Sequence, residues 1–178
     1  MGLRTNNVLL KKGGNVTENR YNLLDEAWIP IADMGKAGLL RVFGGKGVDS
    51  TDSTEAAAPG AIALAQRLNT VVAVSGPEDF ITDGTRVIRV ANGDEFLTKV
   101  TGGGCALGAL IAAFAAVRGT NSPVEAVAAA HAVYGIAAEQ AAAQAAGPGS
   151  FAVSLIDALS TLTPSTISAE QRIREYAA

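Results

Sequence analysis

Cysteine is almost absent from this chain of 178 residues, which contains Cys105 and no other. A single cysteine cannot form an intramolecular disulfide, and it excludes a metal centre built from several thiolates. This scarcity is typical of proteins in a reducing compartment, so we expect a cytoplasmic location.

Positive charge is also in short supply. The chain has 14 Lys and Arg residues against 17 Asp and Glu residues, which gives a net charge of −3. No basic cluster is present that would neutralise a run of phosphates. The composition therefore argues against a nucleic-acid partner bound through phosphate contacts.

Long hydrophobic runs are missing as well. The most apolar stretch, Cys105–Val117, is shorter than the roughly 20 residues that cross a bilayer, and it predicts a buried helix instead. The first residues lack the apolar core of a signal peptide. We therefore expect no membrane partner.

What the chain does contain is hydrophobic residues, at 48%, in a length typical of one domain. TVVAVSG (70–76) is β-branched without polar alternation, which predicts a strand buried on both faces. FITDGTRVIRVAN (80–92) predicts a β-hairpin around Asp83–Gly84. Together with the helical segments, this order favours a layered α/β domain.

The helical segments differ in how clearly they are delimited. Pro59–Gly60 interrupts a helical composition over 54–68, so the secure helix there is 60–68. Ser122–Glu125 is a capping box that opens an alanine-rich helix to about residue 146. Such a helix has a narrow surface of small residues, which suits close helix packing or a subunit contact. Two further helices are expected, at 151–162 and 167–176.

The segment TKVTGGGCALGALIAAF places the lone cysteine directly after three glycines and before an apolar helix. Glycines let a ligand approach the backbone, and a helix N-terminus offers unpaired N–H groups with a partial positive charge. Gly102, Gly103 and Gly104 therefore predict an anion site, with Cys105 beside it as a base or nucleophile. The segment is neither a Walker A motif nor a Rossmann fingerprint. A tight turn before a core cysteine remains the alternative.

Several segments, in order and at compatible spacing, resemble the hydroxyethylthiazole kinase family of the ribokinase-like superfamily. The resemblance covers about residues 44–162 and is carried by GGKGVDSTDSTEAA, LNTVVAVSGPEDFITDG, RVIRVANGDEFLTKVTG, TKVTGGGCALGALIAAFAAV and GPGSF. It implies a ribokinase-like α/β/α sheet, of which this chain carries the C-terminal part. We expect a kinase domain over residues 44–178, preceded by an atypical segment over residues 1–43.

The resemblance also implies a reaction. Family members transfer the γ-phosphate of ATP, with Mg²⁺, to the alcohol of 4-methyl-5-(2-hydroxyethyl)thiazole in thiamine salvage. By this resemblance Cys105 is the catalytic residue, Gly102 contacts the substrate, and Gly103 and Gly104 complete an anion hole. Ser75 matches a threonine that contacts ATP. Gly103 stands where the family usually has Thr or Ala, which should loosen the loop.

Other polar residues have structural interpretations. His131, the only histidine, lies mid-helix among alanines, which favours packing over a role as catalytic base. Asp49, Asp52 and Glu55 suit turns and caps better than a metal site, so the Mg²⁺ ligands are not assigned. Glu78, Asp79 and Asp83 are likewise expected to cap turns.

Two expectations concern the protein as a whole. Family members are longer, and their first half has little counterpart here, so the chain is expected to be a truncated or rearranged kinase. A non-catalytic nucleotide- or phosphate-binding remnant, or an interaction module, is the alternative. The family forms trimers, and the apolar bulk of this short chain predicts a homo-oligomer.

Overall fold

A computed structural model of the chain describes residues 7–11 and 54–177. Most of the predicted atypical segment and the loop at 44–53 lie outside these residues. The described strands form one antiparallel sheet in the order β1–β2–β3–β4–β5. They are β1 (Asn7–Lys11), β2 (Thr70–Val74), β3 (Asp79–Thr82), β4 (Arg86–Val90) and β5 (Ile173–Ala177).

Helices cover both faces of this sheet. They are α1 (Thr54–Leu68), α2 (Gly103–Val117), α3 (Pro123–Gln144), α4 (Pro148–Thr161) and α5 (Pro164–Glu170), with a short 3₁₀ turn at Glu95–Thr98. Helix α1 packs on one face against β2 and β3, and α3 packs on the other against β2, β3 and β4. Helices α2 and α4 pack mainly against α3. This layering confirms the predicted α/β/α arrangement.

Strand β2 is buried on both faces, as its composition predicts. Successive side chains of a strand point to opposite faces of the sheet. Val72 accordingly joins the cluster beneath α1, whereas Val71 and Ala73 join the cluster beneath α3. A continuous apolar run is needed when both faces are covered, because neither face meets water.

The hairpin between β3 and β4 is also confirmed. Asp83 Oδ1 accepts hydrogen bonds from Thr85 N at 3.0 Å and Arg86 N at 2.9 Å. Gly84 has a φ of 92°, a left-handed conformation that glycine adopts without a steric cost. Thr82 Oγ1 donates to Arg86 O at 2.7 Å and closes the turn.

Helix α3 forms the centre of the helical layer. Its capping box is present, since Ser122 Oγ accepts from Glu125 N and Glu125 Oε2 accepts from Ser122 N at 2.8 Å. Of its 22 residues, 14 are buried, half of them alanine, which lets neighbouring elements approach closely. A Cβ on Gly135 would lie 2.5 Å from the backbone carbonyl of Asn92. The small-residue surface therefore serves close packing of α3 on the end of β4.

Two helix predictions need correction. Helix α1 begins at Thr54 and continues through Pro59 without a break. Buried residues on both sides of the proline hold the helix together. Residues 167–176 do not form one helix, since α5 ends at Glu170 and Ile173 begins β5. Backbone pairing with the edge of β4 stabilises this strand, although its side chains are largely exposed.

The apolar segment Cys105–Val117 is helical as predicted, but it is not a buried helix. Ile111 is its only buried residue, and one face packs on the core through Leu107, Leu110 and Phe114. The opposite face exposes small apolar side chains and Val117. Within residues 7–11 and 54–177, no helix is long and apolar enough to cross a membrane.

Candidate functional site

Strand register brings three chain segments to one end of the sheet. Val74 pairs with Phe80, and Asp79 pairs with Val90. The end of β2, the start of β3 and the end of β4 therefore lie side by side. Ser75 follows β2 directly, so it belongs to this end of the sheet.

Helix α3 brings the triple glycine to the same end. Its first residues lie beside the start of β4, where Arg86 Nη1 donates to Ser122 Oγ at 3.1 Å. Further along, Gly135 contacts Asn92 just beyond the end of β4. Tyr134, the neighbour of Gly135, reaches Gly103 at the start of α2. Helix α2 therefore directs its N-terminus toward the end of the sheet that carries Ser75.

The glycine loop, residues Gly102–Cys105, has the geometry of a helix N-terminus open to an approaching anion. Gly102 is the N-cap, in the left-handed conformation with φ 88° and ψ −3° and no side-chain cap. The first hydrogen bond of the turn runs from Ala106 N to Gly102 O at 2.9 Å. The N–H groups of Gly103, Gly104 and Cys105 precede that bond, so they have no partner within the helix. They are the donors that an anion at this helix end would use.

One buried side chain holds this loop in place. Tyr134 is only 3% exposed, and its hydroxyl donates a 2.8 Å hydrogen bond to the carbonyl of Gly103. Burial raises the pKa of Tyr134 to about 12, so the phenol keeps its proton at neutral pH. The bond fixes the first residue of α2 while leaving the backbone N–H groups of the loop free.

Cys105 lies in the first turn of α2 and is exposed. The following residues, Ala106 and Leu107, are partly buried against the cluster around Phe151. The alternative of a core cysteine is therefore wrong, since the thiol is at the surface of the glycine loop. A solvent-accessible thiol at a helix N-terminus can meet a small-molecule hydroxyl.

The Ser75 turn, residues 75–78, is held more firmly. Gly76 N donates to Asp79 Oδ1 at 2.9 Å, which confirms that Asp79 caps a turn. The other oxygen of Asp79 lies 2.7 Å from Nδ1 of His131. On the opposite side, a Cβ on Gly76 would lie 2.6 Å from Cγ2 of Thr54, so the first residue of α1 packs closely against the turn.

A polar network secures the segment that leaves β4. Asn92 is buried, and its Oδ1 accepts a 2.7 Å bond from Arg172 N, which ties β4 to the residues preceding β5. Glu139 on α3 accepts from Gly93 N at 2.7 Å and pairs with the guanidinium of Arg172. The chain therefore leaves the sheet in a defined direction on its way to the glycine loop.

The structure brings some predicted site residues together and separates others. Gly102, Gly103, Gly104 and Cys105 are contiguous in one loop. Ser75 shares their end of the sheet, although within residues 54–177 no hydrogen bond joins it to the glycine loop. Their roles in binding and catalysis remain predictions.

The sequence did not predict two side-chain contacts in this region. Tyr134 was not identified, although a tyrosine in a run of alanines needs a partner for its hydroxyl once it is buried. His131 is a packed helix residue, as predicted, but its bond to Asp79 was not expected. No local pattern links His131 to Asp79, since the two residues are 52 positions apart in the sequence.

A cavity in the described part of the chain lies away from the predicted site residues. It has a volume of about 390 Å³ and lies on the α1 face of the sheet, and none of the predicted site residues lines it. No group of three or more His, Cys, Asp or Glu side chains suited to a metal occurs within residues 54–177. Glu55 pairs with Arg89 at 2.6 Å instead, and that hydrogen bond lowers the pKa of the Glu55 carboxyl.

Comparison with known proteins agrees with the sequence resemblance. The model of the hydroxyethylthiazole kinase family matches residues 35–165. A hydroxyethylthiazole kinase from Clavibacter sepedonicus is 55% identical over 130 residues, which cover 73% of this chain and 46% of that protein. A hydroxyethylthiazole kinase from Burkholderia pseudomallei strain 668 is 54% identical over 127 residues, which cover 71% of this chain and 45% of that protein.

A solved structure matches the same portion. The hydroxyethylthiazole kinase from Pyrococcus horikoshii OT3 aligns with a TM-score of 0.65 at 41% identity, over 69% of this chain and 47% of that one. The chain thus spans about half the length of the relatives that it matches.

Proposed function

The chain belongs to the hydroxyethylthiazole kinase family, and we propose that it catalyses, or retains part of, ATP-dependent phosphorylation of hydroxyethylthiazole. The acceptor is the primary alcohol of 4-methyl-5-(2-hydroxyethyl)thiazole, as in thiamine salvage. The observation that carries this proposal is the glycine loop: an open helix N-terminus with an exposed thiol in its first turn.

The glycine loop supplies the electrostatic part of the reaction. Phosphoryl transfer requires little covalent chemistry from the protein, and depends on positioning and on donors for the charge of the transferring group. The N–H groups of Gly103, Gly104 and Cys105 point out of α2 with the positive end of its dipole. Gly102 leaves room for the substrate, because no described residue other than its chain neighbours lies within 4 Å of the position of a Cβ there.

Cys105 acts on the acceptor. As the alcohol oxygen attacks the γ-phosphorus, the sulfur of Cys105 accepts or positions the hydroxyl proton, and ADP leaves with the electrons of the broken P–O bond. The exposure of Cys105 supports this role, since the sulfur must reach a small molecule in solution.

ATP is held at the same end of the sheet. Ser75 offers a hydroxyl in a turn braced by Asp79 and by α1, and it contacts ATP in this proposal. The described residues do not fit a Mg²⁺ site, because they contain no cluster of metal-ligating side chains. In this proposal Mg²⁺ accompanies the nucleotide, and none of the described residues is assigned to it.

The active form is a cytoplasmic homo-oligomer, a trimer by resemblance to the family. Helix α2 leaves Val117 80% exposed, and α4 leaves Val153 65% and Ile156 60% exposed. Apolar side chains of this kind are covered in many assemblies. Light scattering tests this part, and a monomer at micromolar concentration would contradict it.

The test of activity is a coupled assay for ADP with the thiazole alcohol, ATP and Mg²⁺, at high enzyme concentration. Cys105→Ser should lower turnover by at least about a hundredfold, because general acid–base catalysis contributes on that scale. Ser154→Ala, a half-buried serine on α4, is the matched control and should leave turnover unchanged.

Three outcomes separate the possibilities. Turnover that depends on Cys105 supports the proposal. Nucleotide binding by calorimetry without any product would indicate a non-catalytic nucleotide-binding remnant. Turnover that survives Cys105→Ser would refute the role of the thiol.

A further inference from the structure

His131 is a buried imidazole with one partner. It is 2% exposed, and its Nδ1 lies 2.7 Å from Oδ2 of Asp79. Its other nitrogen, Nε2, is buried and has no hydrogen-bond partner among the described residues. A polar side chain in the middle of an alanine-rich core helix carries a desolvation cost, which its one hydrogen bond must offset.

The contact determines the direction of the hydrogen bond. An ionised carboxylate only accepts, so Nδ1 carries the proton and donates it to Asp79. In the neutral imidazole, Nε2 then carries a lone pair rather than an N–H group. An unmet acceptor is more easily tolerated in a buried position than an unmet donor.

Asp79 also binds the Ser75 turn. Its second oxygen, Oδ1, accepts the 2.9 Å bond from Gly76 N. One carboxylate therefore joins the middle of α3 to the Ser75 turn. The turn cannot move away from this bond toward α1, because Gly76 already lies against Thr54.

We propose that His131 is a positioning residue for ATP, acting through Asp79 on the Ser75 turn. This inference rests on the proposed function, in which Ser75 contacts the nucleotide. His131 orients the carboxylate, the carboxylate holds the N–H of Gly76, and the hydroxyl of Ser75 is thereby kept at the nucleotide. His131 touches neither substrate.

The first measurement is nucleotide affinity. His131→Leu removes the donor while keeping an apolar side chain of similar size. It should weaken binding of a non-hydrolysable ATP analogue about tenfold in calorimetry, and raise KM for ATP but not for thiazole. His131→Asn places an amide donor where Nδ1 stood, and should restore affinity to within about twofold of the original.

The second measurement does not need a ligand. Gly76 is exposed, so protection of its amide from hydrogen exchange depends on the bond to Asp79. His131→Leu should speed this exchange in the free protein, and His131→Asn should not. If His131→Leu fails to fold, His131→Gln replaces it, since the longer side chain displaces the donor and should loosen the turn.

A control separates positioning from loss of stability. Val127→Ala removes volume from the buried face of α3 one turn earlier, at a residue that is 0% exposed. It should lower stability and leave both nucleotide affinity and Gly76 exchange unchanged. Equal increases in KM for ATP and for thiazole in His131→Leu would overturn the proposal.

The remaining outcomes distinguish the proposed function from the role of His131. An unmodified chain that binds no nucleotide overturns the proposed function, and the role of His131 in ATP binding with it. Unchanged Gly76 exchange in a folded His131→Leu variant overturns the link through Asp79, even if the chain binds ATP.

Discussion

The Ser75 turn and the glycine loop lie at the same end of the sheet, but the protein holds them in different ways. The turn is held by side chains on two sides, Asp79 on one and Thr54 on the other. Among the described residues, the glycine loop receives one side-chain hydrogen bond, from Tyr134 to Gly103, and none of them beyond the chain neighbours crowds the Cβ position of Gly102.

Under the proposed function, this difference corresponds to two kinds of binding surface. A side-chain hydroxyl that contacts ATP needs a fixed backbone, which agrees with the bracing of the Ser75 turn. A backbone anion site needs exposed N–H groups and an unobstructed approach, which agrees with a glycine loop that the described side chains hold through a carbonyl. Substitutions in the Ser75 turn should therefore destabilise the protein through steric clashes. Substitutions in the glycine loop should destabilise it through unfavourable backbone torsion angles.

The largest effect is expected from Gly76→Ala. The new methyl group would lie 2.6 Å from Thr54 Cγ2, and overpacking of this kind costs about 1–3 kcal/mol of unfolding free energy. Urea denaturation measures the loss. Thr54→Ser deletes that methyl group and keeps the hydroxyl, so the double variant should recover most of the stability. Failure of Thr54→Ser to restore it would show that the turn is not braced by α1.

Gly102→Ala should cost somewhat less, and no neighbouring substitution should rescue it. No described residue beyond the chain neighbours lies within 4 Å of a Cβ at this position, so the penalty is the left-handed backbone, about 1–2 kcal/mol for a residue with a Cβ. Gly102→Asn should cost less than alanine, since asparagine tolerates this conformation better. Denaturation of the two variants side by side tests the order, and an alanine variant as stable as the original would contradict it.

Tyr134→Phe should have an intermediate effect and should act on the loop rather than on the turn. It removes the hydrogen bond to Gly103 O, which is worth about 1 kcal/mol. We expect faster amide exchange at Gly103 and Gly104 and weaker binding of a phosphate analogue. Exchange at Gly76 should not change. Coupled changes in both segments would show that they are not held independently.

The smallest effect is expected at the opposite end of α3. The bond from Ser122 N, and then the bond from Arg86, lower the pKa of Glu125 from 4.5 to about 2. Because the folded pKa is the lower one, the stabilisation is complete above pH 4.5 and is lost as the pH falls toward 2. Glu125 is well exposed, so the contribution is below about 1 kcal/mol.

Glu125→Gln tests this in acid titrations of stability. The variant should be less stable at neutral pH and should lose less stability between pH 4.5 and 2 than the original chain. Neither the Ser75 turn nor the glycine loop should respond, because both lie at the other end of the sheet. Identical acid profiles would contradict the assignment.

Much of the local structure was determined by the sequence alone. The apolar run of β2, the Asp83–Gly84 turn and the Ser122–Glu125 capping box each depend on neighbouring residues, so a short pattern contains their physical cause. The family resemblance was carried by short motifs in the order of the family and at compatible spacing. The three glycines before Cys105 were recognisable as a candidate anion site for the same reason, whereas the exposure of the thiol was not.

The tertiary structure decided what depends on distant partners. Residues 173–177 form a strand because the edge of β4 offers backbone hydrogen bonds, and α1 runs through Pro59 because its face is buried against the sheet. The bonds of His131 to Asp79 and of Tyr134 to Gly103 join residues 52 and 31 positions apart. Only the packing of α3 across the end of the sheet creates these contacts, and no local propensity encodes them.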